Sequence, residues 1–472
     1  MQPVFALIFD HTINLKKMKT KYLIIFSLFI VTFCVLTGCK KYLDAKPDTS
    51  LATISQVSDL QGFLDQHTWT NDVSAEEGEI SADSYYVTDA VYATFNLQEA
   101  RALYLWQTPT RAYEWDFEYS CVYSANIVLD NLPNLERNNT NASAWDNCKG
   151  SALLFRGKAF LDIALIWAKS YDSQNSNTDL GIPLRLTSDF NVLSKRASVQ
   201  QTYDQILTDL KSSIPLLPRI PINVFRPSKG AAYGLLARTY LMMRKYDLAK
   251  LYADSCLQIN SNLLDYNSIK TSGTFPFSAV TYTNPEHVLY LDSYPNYHVA
   301  FYTTATVDPT LYASYDVNDL RKSIFFIANP AGGFRFRGDY TGGNKHYNGI
   351  ATDEMFLTRA ECEARNGDTQ SALNDLNTLL AKRYKAGTFV QVQSNNATAL
   401  LQVILTERRK ELFFRLLRFA DIKRLNLEGA NISITRVLNG QTYTLPANDE
   451  RFALAIPADV ITLSGIQQNP GH

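Results

Sequence analysis

Cysteine is scarce, with six in 472 residues, and no two stand as a Cys-x-x-Cys pair. That spacing argues against a zinc ribbon or a thioredoxin-type redox centre. Histidine is as scarce, also six, and no two lie at i,i+4, so no helix face carries the paired imidazoles of a zinc hydrolase. Excess charge of either sign is absent, the formal net charge being -1. A nucleic-acid binder needs a basic face to offset phosphates, so this balance argues against one. No Walker loop, Gly-x-Gly-x-x-Gly turn or Gly-x-Ser-x-Gly elbow occurs. The carboxylates Glu76, Glu77 and Glu79 stand close together, but acidic neighbours in a loop read as solvated, and nothing marks one as desolvated. The residues make no positive case for an enzyme, and no cofactor or metal is expected.

A second long apolar run is also missing, which makes the one present informative. It spans Tyr22 to Leu36, fifteen residues, behind Lys16, Lys17, Lys19 and Lys21. A membrane-crossing helix needs about 20 residues. Fifteen behind a basic segment fit a secretory signal. The run ends in Leu36-Thr37-Gly38-Cys39, a bacterial lipobox, so Cys39 is expected to be the lipid-bearing first residue of the mature chain. One acyl chain holds a protein marginally and two hold it firmly. The expected organisation is a signal over 1–38, with Met18 as the true start, a tether over 39–50, and a single domain over 51–472. Cys121, Cys148, Cys256 and Cys362 read as isolated buried thiols.

Helical periodicity dominates the rest of the chain. Helices are expected over Tyr119–Leu132, Trp145–Trp167 and Thr202–Ile214, stopped by prolines or glycines. Small residues at Ala152, Gly157, Ala159 and Ala164 would let another helix approach closely. Two helix pairs then appear: Lys229–Arg244 with Leu248–Ile259, and Asp353–Asn366 with Thr369–Arg383. Antiparallel pairs with small residues where they cross are similar to tetratricopeptide (TPR) units. Between them, roughly 263–348 is rich in Tyr, Phe, Pro, Gly and Asn, and short strands and ordered loops are expected there. The 60–115 stretch reads as similarly loop-like and aromatic. The fold class is mainly all-α: a helical-pair scaffold with loop-rich insertions. Loops on a rigid scaffold are where recognition usually sits.

The densest charge run, "TERRKELFFRLLRFADIKRLN" at 406–426, reads as one helix with Glu407 over Glu411 and Glu411 over Arg415. Its Arg and Glu are expected to pin neighbouring helices. Within it, "ERRKELFFRLLRFADIKRL" resembles the C-terminal helix of the SusD/RagB family, nutrient-binding outer-membrane lipoproteins of Bacteroidetes. Glu407, Arg408, Arg409, Glu411, Leu412, Phe414, Arg418, Asp421 and Arg424 agree with that family's pattern, while its Glu-Gly becomes Arg415-Leu416. "CKKYLDAKP", "EISADSYYV", the Arg-Gly-Lys-Ala helix before "GIPL", "GAAYGLLARTYLMMRKYDLA" and the closing "RFALAIPADVITLSGIQQNPGH" agree in order.

The resemblance implies about four TPR-like pairs, a ligand face of irregular segments, and a SusC-like TonB-dependent transporter as partner. It implies lipid anchoring in the outer membrane, facing outside, and an oligosaccharide or other nutrient as ligand. Sugar rings stack their C–H faces on aromatic rings. Trp69, Tyr85, Tyr86, Tyr294 and Tyr297, in the two irregular aromatic regions, are the candidate ligand contacts. A lipid-anchored glycosidase and a TPR-type scaffold without small-ligand binding are the alternatives.

Overall fold

The local rules for starting a helix are visible at four of the long ones. Ser198 caps one helix reciprocally with Gln201, and Ser228, Asp368 and Asn396 each accept a backbone N–H at the next helix starts. The computed structural model of the chain describes residues 54–280, 283–293 and 295–472. The signal, the lipobox with Cys39, the tether to residue 50 and Tyr294 lie outside the described residues.

Five short helices open the described chain: α1 (Val57–Leu64), α2 (His67–Thr70), α3 (Glu77–Ser81), then strand β1 (Tyr85–Tyr86), α4 (Asp89–Thr94) and α5 (Gln98–Tyr104). The 60–115 stretch is therefore not simply loop; its helices are too short for their periodicity to show in sequence. Three long helices come next, α6 (Tyr113–Asn131), α7 (Ala142–Trp167) and, after strands β2 (Leu180–Pro183) and β3 (Arg196–Ser198), α8 (Val199–Ser213). The first TPR-like pair is α9 (Lys229–Met242) with α10 (Tyr246–Leu257). The insertion carries β4 (His287–Leu289), β5 (Asp292–Ser293), β6 (Thr306–Val307), α11 (Pro309–Ala313), α12 (Arg321–Phe325), β7 (Phe326–Ala328), β8 (Phe334–Phe336), β9 (His346–Tyr347) and β10 (Ile350–Ala351). The second pair is α13 (Thr352–Arg365) with α14 (Thr369–Leu380), then α15 (Ala397–Glu411) and α16 (Arg418–Asn426). A hairpin of β11 (Ile434–Leu438) and β12 (Gln441–Leu445), then α17 (Ala458–Ser464), close the chain.

The molecule is mainly helical, and every sheet is a two-stranded antiparallel piece. Helices pack in series, α6 on α7, α7 on α8, α9 on α10, α10 on α13, and α13 on both α14 and α15. This is a TPR-like scaffold with an insertion of short strands. Every residue of α7 from Gly150 to Trp167 is buried, so the helix lies at the centre of the scaffold. Gly157 allows α8 to come close: a Cβ there would meet Leu210 at 3.1 Å. Leu357, Ala360, Leu376, Leu379, Leu400 and Ile404 form a core among α13, α14 and α15. The four described cysteines are free and buried.

The 406–426 run is not one helix. It breaks across Leu412–Leu417, where Phe414 and Leu416 take left-handed backbone with φ of 54° and 59°. The break sends Phe413 and Phe414 into a ring cluster with Phe326 and Phe336 and cancels the expected contact of Glu411 over Arg415. Arg415 instead donates to Asp353 at 3.0 Å and lies over the rings of Tyr347 and Tyr340. Glu407 and Glu411 keep their shared helix face, and both accept from Arg321 of α12, at 2.6 and 2.9 Å. The pinning of neighbouring elements by Arg and Glu is thus present, with partners remote in sequence.

Candidate functional site

Main-chain pairing joins the two irregular regions into one face. Tyr85 and Tyr86 pair with Val307 and Thr306, and Asp308 N–H donates to Ser84 C=O at 3.0 Å. Asp292 N–H donates to Asn71 C=O at 2.8 Å, and Ser74 N–H to Asp292 C=O at 3.2 Å. Lys345 bridges Asp72 at 2.6 Å and Asp292 at 3.2 Å. Residues more than two hundred positions apart therefore share a single loop platform.

Under this platform lies a layer of carboxyls, where the local sequence suggests solvated side chains. Glu76, Glu77 and Glu79 are fully buried, and Glu114 of α6 is buried against them. Tyr297 N–H donates to Glu76 Oε1 at 3.4 Å and Asn296 Nδ2 to Glu114 Oε1 at 3.0 Å, tying the insertion to the layer. Neither oxygen of Glu77 meets a donor on another residue, the Glu114 carboxyl apart, among the described residues. Burial, with the nearby Glu114 charge, raises Glu77 and Glu76 well above the usual carboxylate range. Burial and then Asp83 push Glu79 up to about 8. Such groups stay neutral near pH 7, because an isolated charge in a dry interior costs far more than a bound proton. Glu118 has Lys158 3.0 Å away, yet burial still raises its carboxyl well above the usual range. His346 Nδ1 lies 3.7 Å from Glu76 Oε2, but burial lowers that imidazole to about 4, so the contact joins two neutral groups and is not an ion pair.

The candidate rings divide by exposure. Trp69 on α2 is 46% exposed and Tyr86 40% exposed. Tyr85 is buried: its hydroxyl donates to Ile80 C=O at 2.8 Å and its ring packs against Phe414 and Arg436. Tyr297 is buried too, its hydroxyl accepting from Tyr113 N–H at 2.9 Å. Neither buried ring has an open face for a sugar, and both act here as struts of the platform. The reason is the strand pairing at Tyr85 and Tyr86: adjacent strand residues point to opposite faces, so Tyr86 faces out where Tyr85 faces in.

One cleft on this face has no signature in the sequence. An open cleft of about 460 Å³ is lined by Tyr312, Phe326, Ile327, Phe334, Asn318 and Arg337, with Lys322 and Lys385 at its sides. Tyr312 and Phe334 stack with centroids 3.6 Å apart, and Lys322 Nζ lies 4.9 Å from the Tyr312 ring. Arg337 donates to the carbonyls of Thr271, at 2.9 Å, and Gly273. Tyr86 stands beside the same hairpin, its hydroxyl 3.8 Å from where a Cβ at Gly333 would sit. The aromatic residues of "FRF" at 334–336 and "TLYAS" at 310–314 supply the rings, but spacing alone does not bring them together. Chemically the cleft offers stacked rings flanked by donors, which suits a ligand with apolar faces and oxygen acceptors.

Comparison with known proteins agrees with this architecture. Residues 41–241 match a SusD-like family model described as "Starch-binding associating with outer membrane", and residues 341–472 match the SusD family model. A SusD-like protein of Formosa agariphila is 21% identical over 274 residues, 53% of this chain and 48% of that protein. The chain thus spans about half the length of that relative. A SusD superfamily crystal structure from Bacteroides thetaiotaomicron superposes with TM-score 0.71 at 20% identity, covering 88% of this chain and all of the other. A structure from Bacteroides vulgatus, named as a sugar-binding protein, gives TM-score 0.70 at 20% identity, over 90% and 100% of the two chains. With both ends of the chain matched to its models and the helical scaffold shared throughout, the protein belongs to the SusD/RagB family.

Proposed function

We propose that the mature chain is a non-catalytic, cell-surface glycan-binding lipoprotein. Anchored in the outer membrane through acylated Cys39, it captures oligosaccharide on the loop face and passes it to a SusC-like TonB-dependent transporter. The observation that carries this reading is the ring-lined cleft of Tyr312 and Phe334, with exposed Tyr86 beside it, on the loop face of a SusD-family scaffold. Trp69 offers a further open ring. Tyr294 remains a proposed contact from sequence, and Tyr85 and Tyr297 support the face from beneath. The names of structural neighbours, sugar-binding and carbohydrate-binding proteins of Bacteroides vulgatus, favour a saccharide over other nutrients. The carboxyls with raised affinity for protons, Glu76, Glu77 and Glu79, are sealed from solvent. They cannot reach a glycosidic bond, which favours binding without hydrolysis over a glycosidase.

Calorimetry on the mature protein with a panel of oligosaccharides tests the reading. Trp69→Ala, Tyr86→Ala and Phe334→Ala should each weaken a demonstrated ligand, because one aromatic stacking contact contributes about 0.5–1.5 kcal/mol. Unchanged affinity in all three would remove the loop face as the site. Cys39→Ala should release the protein from the membrane fraction, and co-purification with a barrel transporter checks the partner.

A further inference from the structure

The neutrality of one surface stands out in a chain that is 19% charged. From Thr388 to Thr406, nineteen residues, the chain has no Asp, Glu, Lys, Arg or His. The segment 389–395 runs beside α14, and between them lies an open groove of about 990 Å³, at the upper end of the ~300–1,000 Å³ usual for ligand clefts.

None of the residues lining the groove is ionisable. From α14 come Gln370, Asn374, Asn377 and Thr378, spaced so that they form one stripe on the helix. The opposite face of α14 buries Ala372, Leu376, Leu379 and Leu380. Solvent-facing helix stripes normally carry Lys and Glu, so an amide stripe is a distinct choice. The only acid of α14, Asp375, is turned away and bound by Arg359 at 2.7 Å. From the facing segment come Phe389, Gln391, Gln393 and Asn395.

The groove is held in shape. Asn377 uses its whole amide on the backbone of Val392, donating to its C=O at 3.0 Å and accepting from its N–H at 2.8 Å. Gln370 donates to Asn374 at 3.0 Å. Phe389 is half-buried, leaning on Tyr384 with centroids 5.3 Å apart, so its ring is fixed without being enclosed. The amides of Gln391, Gln393 and Asn395 make no hydrogen bond among the described residues.

We infer that this groove is a second saccharide site, selective for neutral glycan chains and separate from the loop face. The inference rests on the glycan reading above. An amide offers a donor and an acceptor together, which matches a sugar hydroxyl that does both. Amides also cost far less to desolvate than ionised groups, so a groove without charge suits a ligand without charge. Phe389 supplies a face for ring C–H stacking. An open groove admits a chain passing along it, where an enclosed pocket would take only an end. The loop-face cleft, flanked by Lys322, Arg337 and Lys385, has no such preference for a neutral ligand.

Hydrogen exchange on the full mature protein reads the two sites separately. The probes are malto-, cello-, xylo- and manno-hexaoses, with oligogalacturonate as the charged control. At least one neutral hexaose should slow exchange over 388–396, and oligogalacturonate should not. Phe389→Ala should raise the concentration needed for that protection about tenfold, as loss of a stacking contact of ~1.4 kcal/mol would, and the exposed pair Gln391→Ala with Gln393→Ala should raise it severalfold through lost hydrogen bonds. Tyr86→Ala and Phe334→Ala should leave it unchanged. If a hexaose protects the loop face but never 388–396, the groove inference falls and the glycan reading stands. If no saccharide protects either region, both fall. Protection of 388–396 by oligogalacturonate as strong as by a neutral hexaose, or by an uncharged peptide alone, would also overturn it.

Discussion

The contact of α15 with the insertion and the layer beneath the loop platform bury ionisable groups by opposite means. Against α15 the buried arginines meet counter-charges, whereas Lys423 of α16 donates to the carbonyls of Leu165 and Ala168 and burial lowers it to about 7. Arg321, fully buried, donates to Asp319 at 2.7 Å as well as to Glu407 and Glu411, and Arg383 joins Glu411 at 2.6 Å to Glu286 at 2.8 Å. Burial alone would push Asp319 up, but the Arg321 guanidinium outweighs it and holds the carboxyl below its usual range. Beneath the platform, Glu76 and Glu77 have no such partner, and burial raises both well above the usual carboxylate range. Helices at fixed spacing can aim a guanidinium fork at two carboxylates, and that geometry repays desolvation.

The largest effect that separates the two regions is expected at Arg383→Met. It leaves Glu286 in the core without its guanidinium and Glu411 with Arg321 alone, and should cost about 3–5 kcal/mol by urea unfolding. A loss below ~1 kcal/mol would show that the scaffold pairs are not desolvated as argued. Glu79→Gln should behave in the opposite way. The folded carboxyl holds its proton up to about pH 8, while the unfolded one releases it near 4.5. The folded state therefore binds more protons between those values, and wild-type stability falls through that window as pH rises, by ~1.4 kcal/mol per unit at most. The variant lacks this slope, so it should match the wild type below pH 4.5 and exceed it increasingly toward pH 8. His346, lowered to about 4, contributes the reverse slope, lost as pH falls from 6.5 through 4, so the comparison is cleanest above pH 6.5. A pH-independent difference would break the contrast.

A smaller effect tests where the regions join. A Cβ at Gly234 of α9 would meet Ile350 Cγ2 of β10 at 2.3 Å. Gly234→Ala should lower the thermal midpoint, costing about 1–3 kcal/mol. Next, Tyr85→Phe removes one buried hydroxyl bond, worth about 1 kcal/mol. Smallest is Trp69→Ala with Tyr86→Ala. Both rings are substantially exposed, so unfolding free energy should move by less than ~0.5 kcal/mol each while ligand affinity falls.

Much of the scaffold was legible in sequence because helix signals are local. The pairs around Lys229–Met242 and Thr352–Leu380 declare themselves by apolar spacing, a turn and capping residues. The 406–426 run misled because its charges satisfy helical spacing while Phe413 and Phe414 are drawn into a distant ring cluster. The departure at Arg415-Leu416 marked the place. Leu416 holds left-handed backbone, which costs a non-glycine residue about 1–2 kcal/mol, and the surrounding packing must hold it there. At the loop face, sequence composition picked out the two irregular regions that strand pairing joins, but could not sort Tyr85 from Tyr86, or join Tyr312 to Phe334.

The order of residues alone determined the helical class, the scaffold's main pairs and the places where aromatic loops interrupt them, since periodicity, caps and breakers act within a few residues. The tertiary structure alone decided which rings face solvent, which carboxyls keep a proton and which arginine meets which acid. Those outcomes depend on burial, and burial is set by chain segments hundreds of residues away.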